Sequence, residues 1–262
     1  MVQETAVKTV DRVATILRLL SDQDAEGARL SDIAETTGYG KTTAHRLLGA
    51  LVQVGFAYQD LKTRRYRLGA AAAALGRVAV AHEVASLARP TLQRLARDTQ
   101  DTVFASVREG LAAVCVAREV GSYPIRTLTL DQGARRPLGV GAGSLALLAF
   151  LPDQEIDAII ARNQRWLADY AQFAPEELWR LVERTRADGF ALNEGRIVPA
   201  MQAIGVPVMD AQRRPVVALS IAAIRDRMAP DRVLDLAKRL HAEAKDLATA
   251  LAPRNPAEVT TG

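Results

Sequence analysis

The first fifty residues carry three helical patterns of apolar and polar positions. Over residues 7–20 an apolar side chain recurs every three or four residues, which predicts a helix with one buried face. A polar loop follows, and Ser31 is expected to cap a second helix, which ends at the pair of glycines 38 and 40. A third helix is predicted from about residue 41 to residue 53. Two short helices joined by a glycine turn indicate a helix-turn-helix.

The third helix separates its side chains into a buried face and a groove-compatible face. At 100° per residue, one stripe is apolar and consists of Ala44, Leu47, Leu48 and Leu51. The opposite face carries small, polar and basic residues: Thr42, Arg46, Gly49 and Gln53, with Thr43 and His45 on the flanks. A recognition helix needs short donors and a basic side chain near its N-terminus to reach base edges and phosphates.

Strand-like alternation follows the third helix. Residues 56–59 and 65–68 alternate apolar and polar side chains and predict a hairpin, which would be the wing of a winged helix-turn-helix. Residues 36–68 contain six Lys or Arg and one acid, Asp60, so this window has a charge of +5. The whole chain has a net charge of +4, so the remaining residues sum to −1. The residues expected to contact DNA are Ser31, Lys41, Thr42, Thr43, His45, Arg46, Lys62, Arg64, Arg65 and Arg67.

Beyond the hairpin the pattern predicts a longer α/β region. An alanine-rich helix is expected over residues 69–82, and a separate helix is expected to open at Ser86 with Pro90 in its first turn. Strands are predicted over residues 102–107, 111–117, 125–130, 190–192, 204–209 and 215–221. Helices are predicted over residues 142–151, 154–162, 175–187 and 230–251.

Composition narrows the class of protein. The 262 residues are 49% hydrophobic and 24% charged, which is typical of globular chains. Cys115 is the single cysteine, so no intrachain disulfide is expected, and its apolar neighbours predict a buried thiol rather than a nucleophile. The start of the sequence has no signal-peptide pattern, and no apolar run looks long enough to span a bilayer. We expect a cytoplasmic protein without membrane attachment, cofactor or metal.

Ordered motifs in both halves resemble the IclR family of bacterial transcriptional regulators. The similar segments are LSDIAETTGYGKTTAHRLL (30–48), GFAYQD (55–60) with RYRLG (65–69), RPLGVGAGSLALLA (136–149), GFALNEGRIVP (189–199), AIGVPV (203–208) and VALSI (217–221). The resemblance implies an α+β chain: a winged helix-turn-helix domain over residues 6–69, a linker helix over 70–84, a GAF-like α/β effector-binding domain over 85–252 and a flexible tail over 253–262.

The resemblance also implies partners. Members of the family bind palindromic operators in double-stranded DNA as homodimers or dimers of dimers, and a small metabolite, often an organic or aromatic acid, controls that binding. Matching the motifs places the effector pocket at Val140, Gly141, Ala142, Asn193, Met201, Ala203, Ser220 and Ala222. Many relatives have Asp, Cys and Ser where this chain has Asn193, Ala203 and Ala222. This difference predicts a less polar pocket, suited to an aromatic or larger acid.

Two other classes of function stay open at this stage. An enzyme with an appended DNA-binding domain is one, although the C-terminal region shows no nucleophile motif, paired carboxylates, metal-ligand cluster or P-loop. An architectural, non-specific DNA binder is the other, although the modest overall charge argues against it. Specific binding that survives competitor DNA would separate a regulator from an architectural protein.

Overall fold

The computed structural model describes residues 7–23, 26–127 and 129–252. The chain divides into two compact units, Met1–Val80 and Ala81–Gly262. Predictions made for residues 1–6 and for the tail over 253–262 lie outside the described residues.

In its described residues, the first unit contains three complete helices, the start of a fourth and a two-stranded sheet. The helices are α1 (Lys8–Ser21), α2 (Leu30–Thr37) and α3 (Lys41–Gln53), and the strands are β1 (Ala57–Gln59) and β2 (Tyr66–Leu68). The strands pair antiparallel, so the predicted hairpin is confirmed. The core of this unit joins all five elements and consists of Ile16, Leu20, Ala28, Ile33, Leu47, Leu48, Leu51, Ala57 and Tyr66.

The start of α2 differs from the prediction. Arg29, not Ser31, precedes the helix, and its backbone N–H donates to the carboxylate of Asp32. Ser31 lies inside the first turn, where its hydroxyl donates to the other Asp32 oxygen at 2.9 Å. The Asp32 carboxylate at the third helical position accepts the exposed N–H of Arg29, so the helix begins about two residues earlier than a Ser31 cap would place it.

A single helix, α4 (Ala70–Thr99), replaces the two that were predicted over this segment. The predicted break is wrong because Val84 and Ala85 are buried against the second unit's core and keep the chain helical through this point. Pro90 therefore lies inside the helix, where it removes one backbone hydrogen bond. The carbonyl that loses its donor belongs to Ser86, which is exposed, so water can satisfy it.

By length and composition α4 contains an 18-residue stretch that is apolar enough to cross a bilayer, and only 12% of it is buried. The expectation that no such stretch exists is wrong by this measure, because the many alanines make an otherwise ordinary helix apolar. A helix that connects two domains can be equally long and equally apolar. The length and composition of α4 therefore do not indicate a membrane.

The second unit is built on a six-stranded antiparallel sheet. Its strands are β3 (Thr102–Glu109), β4 (Ala112–Glu119), β5 (Arg135–Pro137), β6 (Ala191–Asn193), β7 (Met201–Met209) and β8 (Pro215–Ile224), in the order β5-β4-β3-β8-β7-β6. Its further helices are α5 (Ala142–Ala149), α6 (Asp153–Leu167), α7 (Pro175–Asp188) and α8 (Pro230–Leu251). Together with the helix-turn-helix unit, this confirms the predicted α+β class.

The two faces of the sheet pack against different helices because strand side chains alternate. Val103, Ala105 and Val107 point to one face, where α8 and the second half of α4 cover them. The other face is covered by α5, α6 and α7, which bury Ala113 and Ala218. The side chains of Phe104 and Ser106 also lie on this second face, toward the start of α5.

One predicted strand is wrong. The described residues between 125 and 130 form a loop, and the edge strand beside β4 is instead β5. The apolar residues that suggested a strand are used differently: Leu130 packs against the buried cluster of Phe104, Cys115 and Ala222, whereas Ile125 is exposed. A loop that covers a cavity buries apolar side chains without pairing its backbone in a sheet.

Candidate nucleic-acid interface and effector cavity

Helix α3 presents the face that the sequence predicts. Ala44, Leu47, Leu48 and Leu51 are buried against α1, α2 and the hairpin. Lys41, Thr42, His45 and Arg46 are exposed, and Thr43 is partly buried. The Arg46 side chain makes no hydrogen bond or ion pair with any other described residue, so its donors are available to a ligand.

The turn of the hairpin is organised by one carboxylate. Asp60 accepts hydrogen bonds from the backbone N–H groups of Thr63 and Lys62, both at 2.9 Å. These bonds, first that from Thr63, hold the pKa of the Asp60 carboxyl below its ordinary value. The turn leaves the side chains of Lys62 and Arg64 exposed at the tip of the hairpin.

The four basic residues of the hairpin have two kinds of surroundings. Lys62 and Arg64 have no side-chain partner among the described residues. Arg65 donates to the carbonyl oxygen of Gly27 at 2.6 Å, and Arg67 pairs with Asp60 at 3.5 Å and lies over the ring of Tyr58. Lys62 and Arg64 therefore keep all their side-chain donors for phosphate, whereas Arg65 and Arg67 have part of theirs occupied. The sequence alone does not show this difference.

A groove runs between the start of α2, α3 and the hairpin. Ser31, His45 and Arg64 of the predicted set line it together with Arg29. Arg29 was not among the predicted DNA contacts, because the window in which basic residues were counted began at residue 36. Its position directly before a helix that also carries Ser31 is the signal that could have found it.

In the second unit, a cavity lies between the sheet, the start of α5 and the loop after β4. All eight residues predicted for the effector pocket line it: Val140, Gly141, Ala142, Asn193, Met201, Ala203, Ser220 and Ala222. The space between its lining atoms is about 650 Å³, a figure that includes its open mouth. Their role in binding an effector stays a prediction.

Close backbone approach brings the start of α5 to the sheet. A Cβ on Gly205 of β7 would lie 2.7 Å from the carbonyl carbon of Ala142, so only glycine fits there. Gly141 precedes the helix with a φ of +93°, in the region that favours glycine. The Ser144 hydroxyl accepts from the Gly139 N–H at 2.9 Å and donates to the Pro137 carbonyl, which fixes the loop.

Several cavity residues were missed, most of them because they lie outside the motifs quoted from the sequence. They come from β3, β5, β7 and the two loops over the cavity, and are Phe104, Ser106, Thr127, Thr129, Leu130, Arg136, Ile197 and Gln202. Arg136 was quoted within a motif but was given no role. Its alternation with exposed Arg135 on a strand is the signal that could have assigned it to the cavity.

Burial controls the ionisation of two groups in this region. Cys115, behind the cavity wall, is 1% exposed, and burial raises the pKa of its thiol from 9.0 to about 11. The predicted buried thiol is therefore confirmed. Burial also lowers the pKa of the Arg136 guanidinium from its ordinary value, although an arginine this strongly basic keeps its charge.

A winged helix-turn-helix with a free basic face, linked by α4 to an α/β unit with an internal cavity, defines a ligand-responsive DNA-binding regulator. Residues 9–61 match the family model described as the IclR helix-turn-helix domain, and residues 76–249 match that described as bacterial transcriptional regulator IclR C-terminal. The chain belongs to the IclR family of transcriptional regulators.

Individual relatives agree over nearly the whole chain. It is 30% identical over 246 residues to the glycerol operon regulatory protein of Streptomyces coelicolor, which covers 94% of this chain and 95% of the relative. It is 28% identical to the transcriptional regulator KipR of Bacillus subtilis, over 89% of this chain and 92% of that protein. A solved IclR-family regulator from a Rhodococcus species superposes with a TM-score of 0.71 at 25% identity, covering 95% and 96% of the two chains. These relatives are transcriptional regulators, not enzymes.

Proposed function

We propose that this regulator binds a palindromic operator in double-stranded DNA and that an organic or aromatic acid in the cavity controls this binding. The observation that carries the proposal is the convergence of the eight predicted pocket residues on the lining of one cavity. The protein would act in the cytoplasm, where its DNA is.

On the DNA side, the exposed residues of α3 support direct base contacts. Thr42, His45 and Arg46 project from a helix whose opposite face is buried, so the helix can enter a major groove without losing its core contacts. Lys41 and the hairpin cations Lys62 and Arg64 suit phosphate contacts beside the groove. A homodimer, or a dimer of dimers, would place two such helices on the two halves of a palindrome.

On the effector side, the walls are apolar and a few polar groups converge on them. Ala203 and Ala222 are apolar, and Phe104, Leu130 and Ile197 add apolar area. Ser220 and Asn193 are buried and can orient a ligand by hydrogen bonds. These walls favour an acid with an apolar or aromatic body.

A gel-shift titration with the intergenic DNA next to the gene tests the proposal. Binding that survives excess competitor DNA and moderate salt, and that a small acid changes, is the expected result. Binding that is the same on every sequence and disappears with salt would contradict it and favour the architectural alternative.

A further inference from the structure

Arg136 is exceptional among the arginines of the second unit. Of the arginines between residues 81 and 252 that are partly buried, all the others form an ion pair with a carboxylate: Arg94, Arg108, Arg118, Arg196, Arg227 and Arg232. Within the described residues Arg136 pairs with no carboxylate. Among these partly buried arginines, Arg136 is therefore the one that lacks a negatively charged partner. A partly desolvated cation without an anion is costly.

The surroundings of Arg136 direct its guanidinium into the cavity. One N–H donates to the carbonyl oxygen of Thr129 at 2.6 Å, which leaves four of its five donors. A Cβ added to Gly141 would lie 3.3 Å from Nη1, so the missing side chain of that glycine gives the guanidinium its room. Arg135, one residue earlier on the same strand, is exposed and paired with Glu109.

The cavity holds further donors but no second charge. The hydroxyl of Ser220 and the side-chain NH₂ of Asn193 make no hydrogen bond with a described residue, although both residues are at least nine-tenths buried. Among the described residues that line the cavity, Arg136 is the only charged one. One cation matches one negative charge, and the remaining wall is largely apolar.

We infer that Arg136 is the anion-binding residue of this cavity and that it selects monocarboxylates with an apolar body over amides and dicarboxylates. The carboxylate accepts from the guanidinium in the two-pronged geometry that arginine favours, and the apolar body lies against Phe104, Leu130 and Ile197. A second carboxylate would be buried without a cation. This inference rests on the proposed effector function and narrows its ligand class.

Matched probes test the inference without knowledge of the physiological effector. Benzoate, phenylacetate and hexanoate are compared with benzamide, phenylacetamide and hexanamide, and with the dicarboxylates phthalate and adipate, by calorimetry on the full chain. Wild-type protein is expected to bind at least one monocarboxylate about 10- to 100-fold more tightly than its amide. The dicarboxylates should bind more weakly than the monocarboxylates.

Arg136→Met should weaken monocarboxylate binding by the same factor and leave amide binding unchanged, and Arg136→Lys should restore part of the loss. Arg135→Met, the adjacent exposed arginine, should bind as the wild type does. Circular dichroism on each variant checks that it is folded. Equal binding of acid and amide, unchanged acid binding by Arg136→Met, or no acid bound by wild-type protein would each overturn the inference.

The same variants in the gel shift separate this inference from the proposed function. If metabolites still change operator binding of Arg136→Met as they change that of the wild type, the role of Arg136 is wrong and the regulatory proposal stands. If no small molecule changes operator binding of the wild type, the regulatory proposal itself fails.

Discussion

Arg46 and Arg64 are both exposed cations of the DNA-binding unit, but they are expected to contribute differently to binding. Arg46 lies on the outer face of α3, where a guanidinium can reach base edges. Arg46→Ala should therefore weaken binding to the operator by about 1–3 kcal/mol and relax its specificity. Titrations by fluorescence anisotropy on the operator and on a shuffled sequence measure both effects.

Arg64 lies at the tip of the hairpin and should contact phosphate rather than bases. Arg64→Ala is expected to weaken binding to both sequences equally and to reduce the salt slope by about 1. Arg65→Ala is a poorer test, because Arg65 also anchors the hairpin to the Gly27 carbonyl and its loss would disturb the unit itself. If Arg46→Ala and Arg64→Ala both bind as the wild type does, the placement of the recognition helix is wrong.

The raised pKa of the buried Cys115 thiol should make the stability of the fold depend on pH. Burial raises the pKa of this thiol from 9.0 to about 11, so the folded chain holds the proton more tightly than the unfolded chain. The stabilisation is complete below about pH 9 and is lost as the pH rises toward 11, amounting to about 2–3 kcal/mol. Denaturant unfolding of wild type and Cys115→Ala at pH 8 and pH 10.5 isolates it. Equal pH dependence of the two proteins would contradict the assignment.

At the scale of elements, alanine substitutions at two glycines should change the stability of the fold in opposite directions. Gly205→Ala would drive a Cβ to 2.7 Å from the backbone of α5, and because backbone cannot yield as a side chain can, we expect about 2–3 kcal/mol of destabilisation. Gly49→Ala meets nothing within 4 Å on the exposed face of α3 and should stabilise by about 0.5–1 kcal/mol.

Thermal and denaturant unfolding of the two glycine variants measure these changes. Gly49→Ala has a second readout, since added bulk on the outer face of α3 should weaken operator binding if that face enters the groove. A stabilised Gly49→Ala protein with unchanged operator affinity would show that position 49 does not face the DNA.

The elements with strong local signals were the ones that could be predicted. Helix α3 and the long C-terminal helix α8 begin and end where their apolar periodicity and flanking glycine or proline indicate. The continuous α4 could not be predicted, because the burial of Val84 and Ala85 that keeps it helical depends on a sheet formed by later residues.

The candidate site was predictable only in part, for the same reason. The eight pocket residues follow from motifs that resemble a known family. The role of Arg136 depends on which carboxylates are near it in space, and the sequence offers many: neighbouring Arg135 finds Glu109, whereas Arg136 finds none among the described residues. An unpaired charge is a property of the tertiary structure, not of the local pattern.

At the scale of the whole molecule, one buried carboxylate connects the cavity loop with the end of α4. Asp101 accepts from Arg227 at 2.9 Å and from Arg232 at 2.6 Å, and both arginines also donate to the carbonyl of Thr99, the last residue of α4. Arg227 in turn stacks on Tyr123 at 3.9 Å, in the loop that continues to Thr127 on the cavity wall.

Because α4 begins in the DNA-binding unit, we propose that this cluster couples the proposed effector cavity to operator binding. A ligand that shifts the loop at Thr127 would change the packing of Tyr123 on Arg227, and through it the hydrogen bonds at Thr99. Asp101→Asn removes the anion that holds both arginines and should destabilise the fold by about 3 kcal/mol. Well below its unfolding temperature, the variant is expected to bind an acid as the wild type does but to transmit less of that binding to the operator.

The measurement is the ratio of operator affinities with and without a saturating acid, compared for wild type, Asp101→Asn and Asp98→Asn. Asp98 lies near the same helix end and pairs with exposed Arg97 rather than with this cluster, so its variant should keep the full ratio. Calorimetry with the same acid shows whether the cavity still binds it. A ratio that is unchanged in Asp101→Asn would show that the signal reaches α4 by another route, since the end of the helix would then respond without its anchoring carboxylate.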